Sequence, residues 1–170
     1  MTTPTDTQDQ APAAVPGPAS RFGVAIIAGT LLVDQATKWI AEAVLEPQTA
    51  VTLLPILQLY FTTNTGIAFS FLRGSDSQFL LYAVIAITIL VIVFWARSRD
   101  GGRLAAAGFG LIVGGAIGNI VDRILYGHVI DFLLLHVGDR VLFVFNLADF
   151  ALTLGPLLLI IAYLRVPRRT

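Results

Sequence analysis

The chain has 170 residues, a length suited to one domain, and 56% of them are hydrophobic against 13% charged. That balance, with a mean hydropathy of +0.80, leaves much of the surface facing lipid. Eleven basic and eleven acidic residues cancel, which argues against a nucleic-acid partner held by bulk electrostatics, and the absence of cysteine excludes disulfides, thiolate nucleophiles and Cys-ligated metal centres.

Residues 1–20 (MTTPTDTQDQAPAAVPGPAS) are rich in Pro, Ala, Thr and Gln and read as a disordered tail. Asp6 and Asp9, with no basic residue before Arg21, argue against a cleaved signal peptide, so the next apolar segment is expected to be retained. A helix needs roughly 20 mostly apolar residues to cross a hydrocarbon core of about 30 Å. Phe22–Ala41 is the first such span. Within it, VDQATKWI sets Asp34 and Lys38, the only lysine, four apart on one helical face with the acid on the favoured N-terminal side. Two readings stand: an internal pair that lowers the cost of burial, or a structural or substrate-contacting role.

Residues 42–78 form a first outer segment, in which LQLYFTTNTGIAFSFL is rich in β-branched and aromatic residues around a Thr-Asn-Thr-Gly turn signal. Phe79–Ala96 is the second span and Leu104–Val121 the third. The third carries Gly110, Gly114 and Gly118 at four-residue spacing, with Gly115 beside them, a face on which another helix can approach closely. Residues 122–149 form a second outer segment containing HVIDFLLLHVGDRVLFVFN, where Gly138-Asp139 fits a two-residue hairpin turn. The fourth span is Phe150–Leu164, with Gly155-Pro156 as a local kink, and 166–170 is a short tail. Arg21, Arg97, Arg99, Arg103, Arg165, Arg168 and Arg169 fall on one side and only Arg73, Arg123 and Arg140 on the other, so both termini are expected in the cytoplasm. The expected fold is thus an integral membrane, mainly α protein: four transmembrane helices over residues 21–165 with a small β-rich platform on the outer membrane face.

The informative residues are the polar ones near span ends. Asn119, Asp122, Arg123, His128 and Asp131 gather at the outer end of span three. Asn119 could cap backbone and Arg123 snorkel to headgroups. Asp131 is harder to explain, set among Val129, Ile130, Phe132 and Leu133 with no adjacent cation. Asp149 by itself fits a cap, third in a helix begun by Asn146. With the hairpin turn at Gly138-Asp139, however, Asp131 faces Asn146 across the strands and Asp149 follows one helical turn later. Two carboxylates in one poorly solvated site share a proton; the ionised one can activate water while the protonated one hydrogen-bonds a carbonyl. Asn119 and Asn146 could orient either the acids or a peptide. No HExxH metal motif, G-x-S-x-G elbow or phosphate-binding glycine loop is present, and His128 and His136 lack a third ligand.

The set DQATK (34–38), NTGIAFS (64–70), GNIVDR (118–123), GHVIDF (127–132) and FNLAD (145–149) resembles the bacterial lipoprotein signal peptidases, or type II signal peptidases, in order and span topology from Arg21 to Leu164. The resemblance implies a membrane aspartic endopeptidase that cuts diacylglyceryl-modified prolipoproteins before the lipidated cysteine, with no metal or organic cofactor. It makes Asp131 and Asp149 the catalytic acids, with Asn64, Asn119, Asp122, Arg123 and Asn146 around them and Asp34 and Lys38 in the first-span motif. It also implies residence in the inner membrane, activity near the outer face, and inhibition by globomycin and myxovirescin; a monomer in contact with membrane lipid is expected. Ile67 departs from the family's usual Ala. The rival reading is a small proton-coupled transporter or channel component, since intramembrane acids also build proton relays. The clustering of three key acids at outer span ends, with no titratable chain across the bilayer, favours the peptidase.

Overall fold

The computed structural model describes residues 14–65 and 77–166. Its four helices are α1 (Arg21–Val44), α2 (Ser77–Arg97), α3 (Gly102–Tyr126) and α4 (Leu147–Leu164), and each is long and apolar enough to cross a membrane. Local chemistry sets their ends. Ser20 caps α1, its Oγ accepting the Gly23 N–H at 3.0 Å. α3 stops at Gly127, whose φ of 75° suits a residue without Cβ and whose N–H returns to the Arg123 carbonyl. α4 runs on through Pro156. α3 exceeds its expected span by several residues, so Asp122 and Arg123 lie on its last turns rather than in a loop.

α3 is the axis of the bundle and packs against the other three helices. Small residues make this possible. A Cβ on Gly110 would strike Ile26, one on Gly114 would strike Thr30 and the Ile27 carbonyl, and one on Gly118 would strike the Asp34 carboxylate, all on α1. The glycine face read from the sequence therefore seats α1. Gly108 and Gly115 point instead at α4, where a Cβ would lie 2.8 Å from the Gly155 carbonyl and 2.6 Å from that of Ala148. Large apolar side chains such as Leu32, Trp39, Leu90 and Leu164 are left on the outside, where lipid would cover them.

The end of the expected 1–20 tail makes contacts with the bundle. Val15 lies against the apolar cluster of Trp95, Phe109 and Val113, and the fully buried Trp95 indole donates to the Pro16 carbonyl at 2.9 Å. Residues 1–13 and 167–170 lie outside the described residues.

The β-rich platform is a four-stranded antiparallel sheet in chain order, β1 (Ala50–Leu54), β2 (Leu57–Asn64), β3 (Val129–Val137) and β4 (Arg140–Phe145). The turn between β1 and β2 falls at Pro55-Ile56, and β2 ends at Asn64; the Gly of the Thr-Asn-Thr-Gly turn signal lies outside the described residues. Ile67 and Arg73 lie outside the described residues. Gly138-Asp139 does close the second hairpin: Val137 pairs with Arg140, and Gly138 takes φ 57°. The expected register needs correction. An irregularity between Leu135 and His136 inserts one residue into β4, so Leu135 pairs with Phe143 and the ladder ends at Leu133–Phe145. Asp131 is consequently not the strand partner of Asn146; its partner is Thr62 on β2.

Candidate active site

The site lies where the end of α3, the start of α4 and the first half of β3 converge. Asn146 holds it together. As N-cap of α4 it accepts the Asp149 N–H at 2.9 Å, and its own N–H donates back to the Asp149 carboxylate at 3.3 Å, a reciprocal capping box. Its fully buried side-chain amide also donates to Asp131 Oδ1 at 2.8 Å and to the Ile130 carbonyl at 3.1 Å. One residue thus bonds to both carboxylates. The register shift does not separate the acids, because the side chain of Asn146 spans what the ladder no longer pairs.

The remaining partners of the acids are asymmetric. Asp131 is 2% exposed and accepts from Asn64 Nδ2 at 3.1 Å. Burial pushes its carboxyl up to about 6, and the nearby Asp149 charge pushes the same way, against the opposing pull of Asn64, Asn146 and Lys38. Asp149 accepts from Asn119 Nδ2 at 2.8 Å and sits in the first turn of α4, where the helix dipole favours negative charge.

A second layer, on α1 and α3, fixes Asn119. Lys38 is buried and its Nζ has three acceptors: Asp34 Oδ2 at 2.8 Å, Asp122 Oδ2 at 2.9 Å and Asn119 Oδ1 at 3.0 Å. An ammonium has three protons, so the set is complete. With its oxygen held by Lys38, and with Asn146 Nδ2 lying 3.2 Å from the same oxygen, Asn119 must present its NH₂ to Asp149. The two acids of this layer reach further still. Asp34 Oδ1 accepts the Ala148 N–H at 2.9 Å, pinning α1 to the start of α4, and Asp122 Oδ2 accepts the Ile130 N–H at 3.1 Å, pinning α3 to β3. The Asp34–Lys38 pair is thus internally neutralised, and its remaining bonds tie α1 to α3 and α4.

Residues 26–165 match the family described as Signal peptidase (SPase) II. The chain belongs to the signal peptidase II family. It is 42% identical over 125 residues to a lipoprotein signal peptidase of Sinorhizobium fredii, covering 74% of this chain and 75% of that protein. It is also 42% identical over 149 residues to one of Bartonella tribocorum, covering 85% of each. Among solved structures it is similar to a bacterial membrane enzyme determined in meso at 1.9 Å, with TM-score 0.71 and 28% identity over 85% of this chain and 93% of that one. A second such structure, at 2.3 Å, gives TM-score 0.70 and 29% identity over 84% and 87%. As a signal peptidase II, the protein is an aspartic hydrolase of the membrane that cleaves signal peptides, and the transporter reading is not favoured.

Nine of the polar residues singled out in the sequence, all but the two histidines, lie in or beside this network. Arg123 is the most peripheral: its Nη1 donates to the Asn119 carbonyl at 3.1 Å, and the rest of its side chain lines an open cavity of about 330 Å³ with Thr65, Gln78, Leu81, Ile124 and Gly127. Gln35 was missed. Its Nε2 lies 2.9 Å from Asp122 Oδ1, 3.3 Å from Asp34 Oδ2 and 3.3 Å from the Gly118 carbonyl, stitching α1 to α3. Its position beside Asp34 was the available signal, but an uncharged amide at the face of a span does not stand out as an acid does. His128 and His136 take no part: one lies beside Tyr126, and the other has Nδ1 2.8 Å from the Gly138 carbonyl in the hairpin. Among the described residues no group of three or more His, Asp or Glu is placed to hold a metal ion.

Proposed function

We propose that Asp131 and Asp149 are the catalytic pair and that the enzyme removes signal peptides from diacylglyceryl-modified prolipoproteins, cutting before the lipidated cysteine. The observation that carries the proposal is the bridging of both carboxylates by Asn146, within one network of buried amides and charges. Asp149 takes a proton from a water molecule, which attacks the scissile carbonyl carbon. Asp131 gives its proton to the carbonyl oxygen, yielding a tetrahedral diol. Collapse of the diol breaks the C–N bond as one hydroxyl returns its proton to Asp131 and the proton held by Asp149 passes to the leaving amine. The raised carboxyl of Asp131 suits the acid role, and the donors around Asp149 suit the base.

Asn64, Asn119 and Asn146 hold the acids, Asp34, Lys38 and Asp122 hold the amides, and Arg123 faces the side on which the peptide lies. The clustered arginines support an orientation with both termini in the cytoplasm, which puts the pair near the outer leaflet, where a lipid-anchored substrate enters from the side. The enzyme acts as a monomer in contact with membrane lipid, and globomycin and myxovirescin occupy this site.

The test is cleavage of a lipid-modified precursor in membranes by the single variants Asp131→Asn and Asp149→Asn. Each is expected to lose about 10²–10⁴-fold in rate while inserting normally. A well-inserted variant that cleaves at the parental rate removes its residue from the mechanism.

A further inference from the structure

At the end of the bundle away from the acids lies an open cavity of about 470 Å³ lined by Phe94, Arg97, Ser98, Arg99, Asp100, Tyr163 and Val166. The peptidase chemistry makes no use of it. We propose that this cavity is a binding site for the phosphate headgroup of an anionic glycerophospholipid. It sits between the last residue of α2, Arg97, and the last turn of α4, which are the ends of two helices long enough to cross a membrane, so it opens at headgroup depth. Neither Arg97 nor Arg99 forms an ion pair among the described residues, whose ion pairs all involve Lys38. Both line the cavity, and a guanidinium is a planar fork of N–H donors whose geometry suits phosphate oxygens. Phe94 and Tyr163 supply an apolar wall against which a glyceryl backbone and the first acyl carbons can lie, and a basic pocket between membrane helices of this kind fits a phosphate-bearing lipid. The volume admits a headgroup and not a whole lipid, so the chains remain in the bilayer. Asp100, in the same lining, opposes anions, and a dianionic soluble phosphate suffers from it more than a monoanionic phosphodiester does. The lipid is therefore favoured over free phosphate.

The experiment uses the full-length enzyme in detergent, titrated with phosphatidylglycerol, with phosphatidylcholine of the same chains, or with inorganic phosphate, and read by native mass spectrometry. The parent is expected to retain phosphatidylglycerol on the order of tenfold more tightly than phosphatidylcholine. The Arg97→Gln/Arg99→Gln double variant should lose that preference. Arg165→Gln, at the same end but outside the cavity, should keep it. Precursor cleavage by the double variant reports that it is folded, because the acids lie at the other end. A preference that survives in the double variant, or that Arg165→Gln erases equally, overturns the site. Tight binding of inorganic phosphate without any lipid preference overturns the lipid as its occupant.

Discussion

Replacing Lys38 by Met tests whether the second layer is held by charge. The ammonium makes contacts of 2.8, 2.9 and 3.0 Å with Asp34, Asp122 and Asn119, whose exposures are 0%, 1% and 5%. Methionine fills similar volume and supplies no proton, leaving two buried carboxylates without their cation. Removing one partner of a buried ion pair costs about 3–5 kcal/mol. A second acid in the same pocket pushes toward the upper end, while Gln35 Nε2 and the N–H groups of Ala148 and Ile130 still donate and pull toward the lower. For a chain of this size a loss of about 3–5 kcal/mol lowers the melting temperature by about 6–20 °C. The assay is thermal unfolding in detergent of the parent, Lys38→Met, and the triple variant Asp34→Asn/Lys38→Met/Asp122→Asn. Neutralising the stranded acids should recover most of the loss, and Lys38→Arg should not match the parent, since a planar fork does not reproduce three tetrahedral donors. A Lys38→Met protein that melts within about 2 °C of the parent would refute the reasoning about buried charge. A triple variant as unstable as the single one would show that the loss comes from packing.

Asp131 holds its proton to about 6 in the folded protein, against 3.8 for the free carboxyl, so the folded state binds more protons between those values and stability from this group falls as pH rises through that window. In Asp149→Asn the neighbouring charge is gone, and the infrared carboxyl band of Asp131 should titrate below about 6; an unchanged or higher midpoint would mean the two acids do not sense each other. Gly118→Ala drives a methyl group into the Asp34 carboxylate and should lower both stability and cleavage, whereas Gly29→Ala, which meets nothing within 4 Å, should leave the melting temperature unchanged. Equal melting of the two would deny that α1 and α3 touch at Gly118. Asn146→Ala removes the cap and the bond to Asp131 together; about 1–2 kcal/mol of stability should go with the cap, and cleavage should fall far more than Asn146→Asp lowers stability.

What could be read from the sequence divides along the range of the interaction concerned. The spans follow from hydropathy, and the second hairpin follows from a Gly whose lack of Cβ the turn requires. Both are local. The irregularity that shifts β4 by one residue has no local marker, because Leu142 and Phe143 are equally apolar, so the strand pairing of Asp131 with Asn146 was misread. The acids meet nonetheless, because the contact runs through a side chain that tolerates a one-residue slip. The turn at Pro55-Ile56 was overlooked, because Pro-Ile carries less of a turn signal than the polar tetrapeptide that begins at the end of β2. Val15 and Pro16 sit in a compositionally disordered stretch, and nothing there announces that a buried Trp95 some 79 positions later needs a carbonyl. The importance of Asp34, Lys38 and Asp122 was visible as charge in an apolar setting, but their joint geometry depends on a glycine face bringing α1 against α3.

The order of these parts along the chain bears on how the bundle is assembled. α1 emerges first with its acid and its lysine four residues apart, so it can enter the bilayer already neutralised by its own pair. α3 comes later and carries Asp122, whose cation is on α1; α4 comes last, and its first turn is finished by Asp34. α3 and α4 thus each find a missing polar partner on a helix already in place, with α1 as the template. Faults in α1 would then appear first as failed biogenesis, with α3 left for membrane quality control to remove, and only among surviving molecules as slow cleavage.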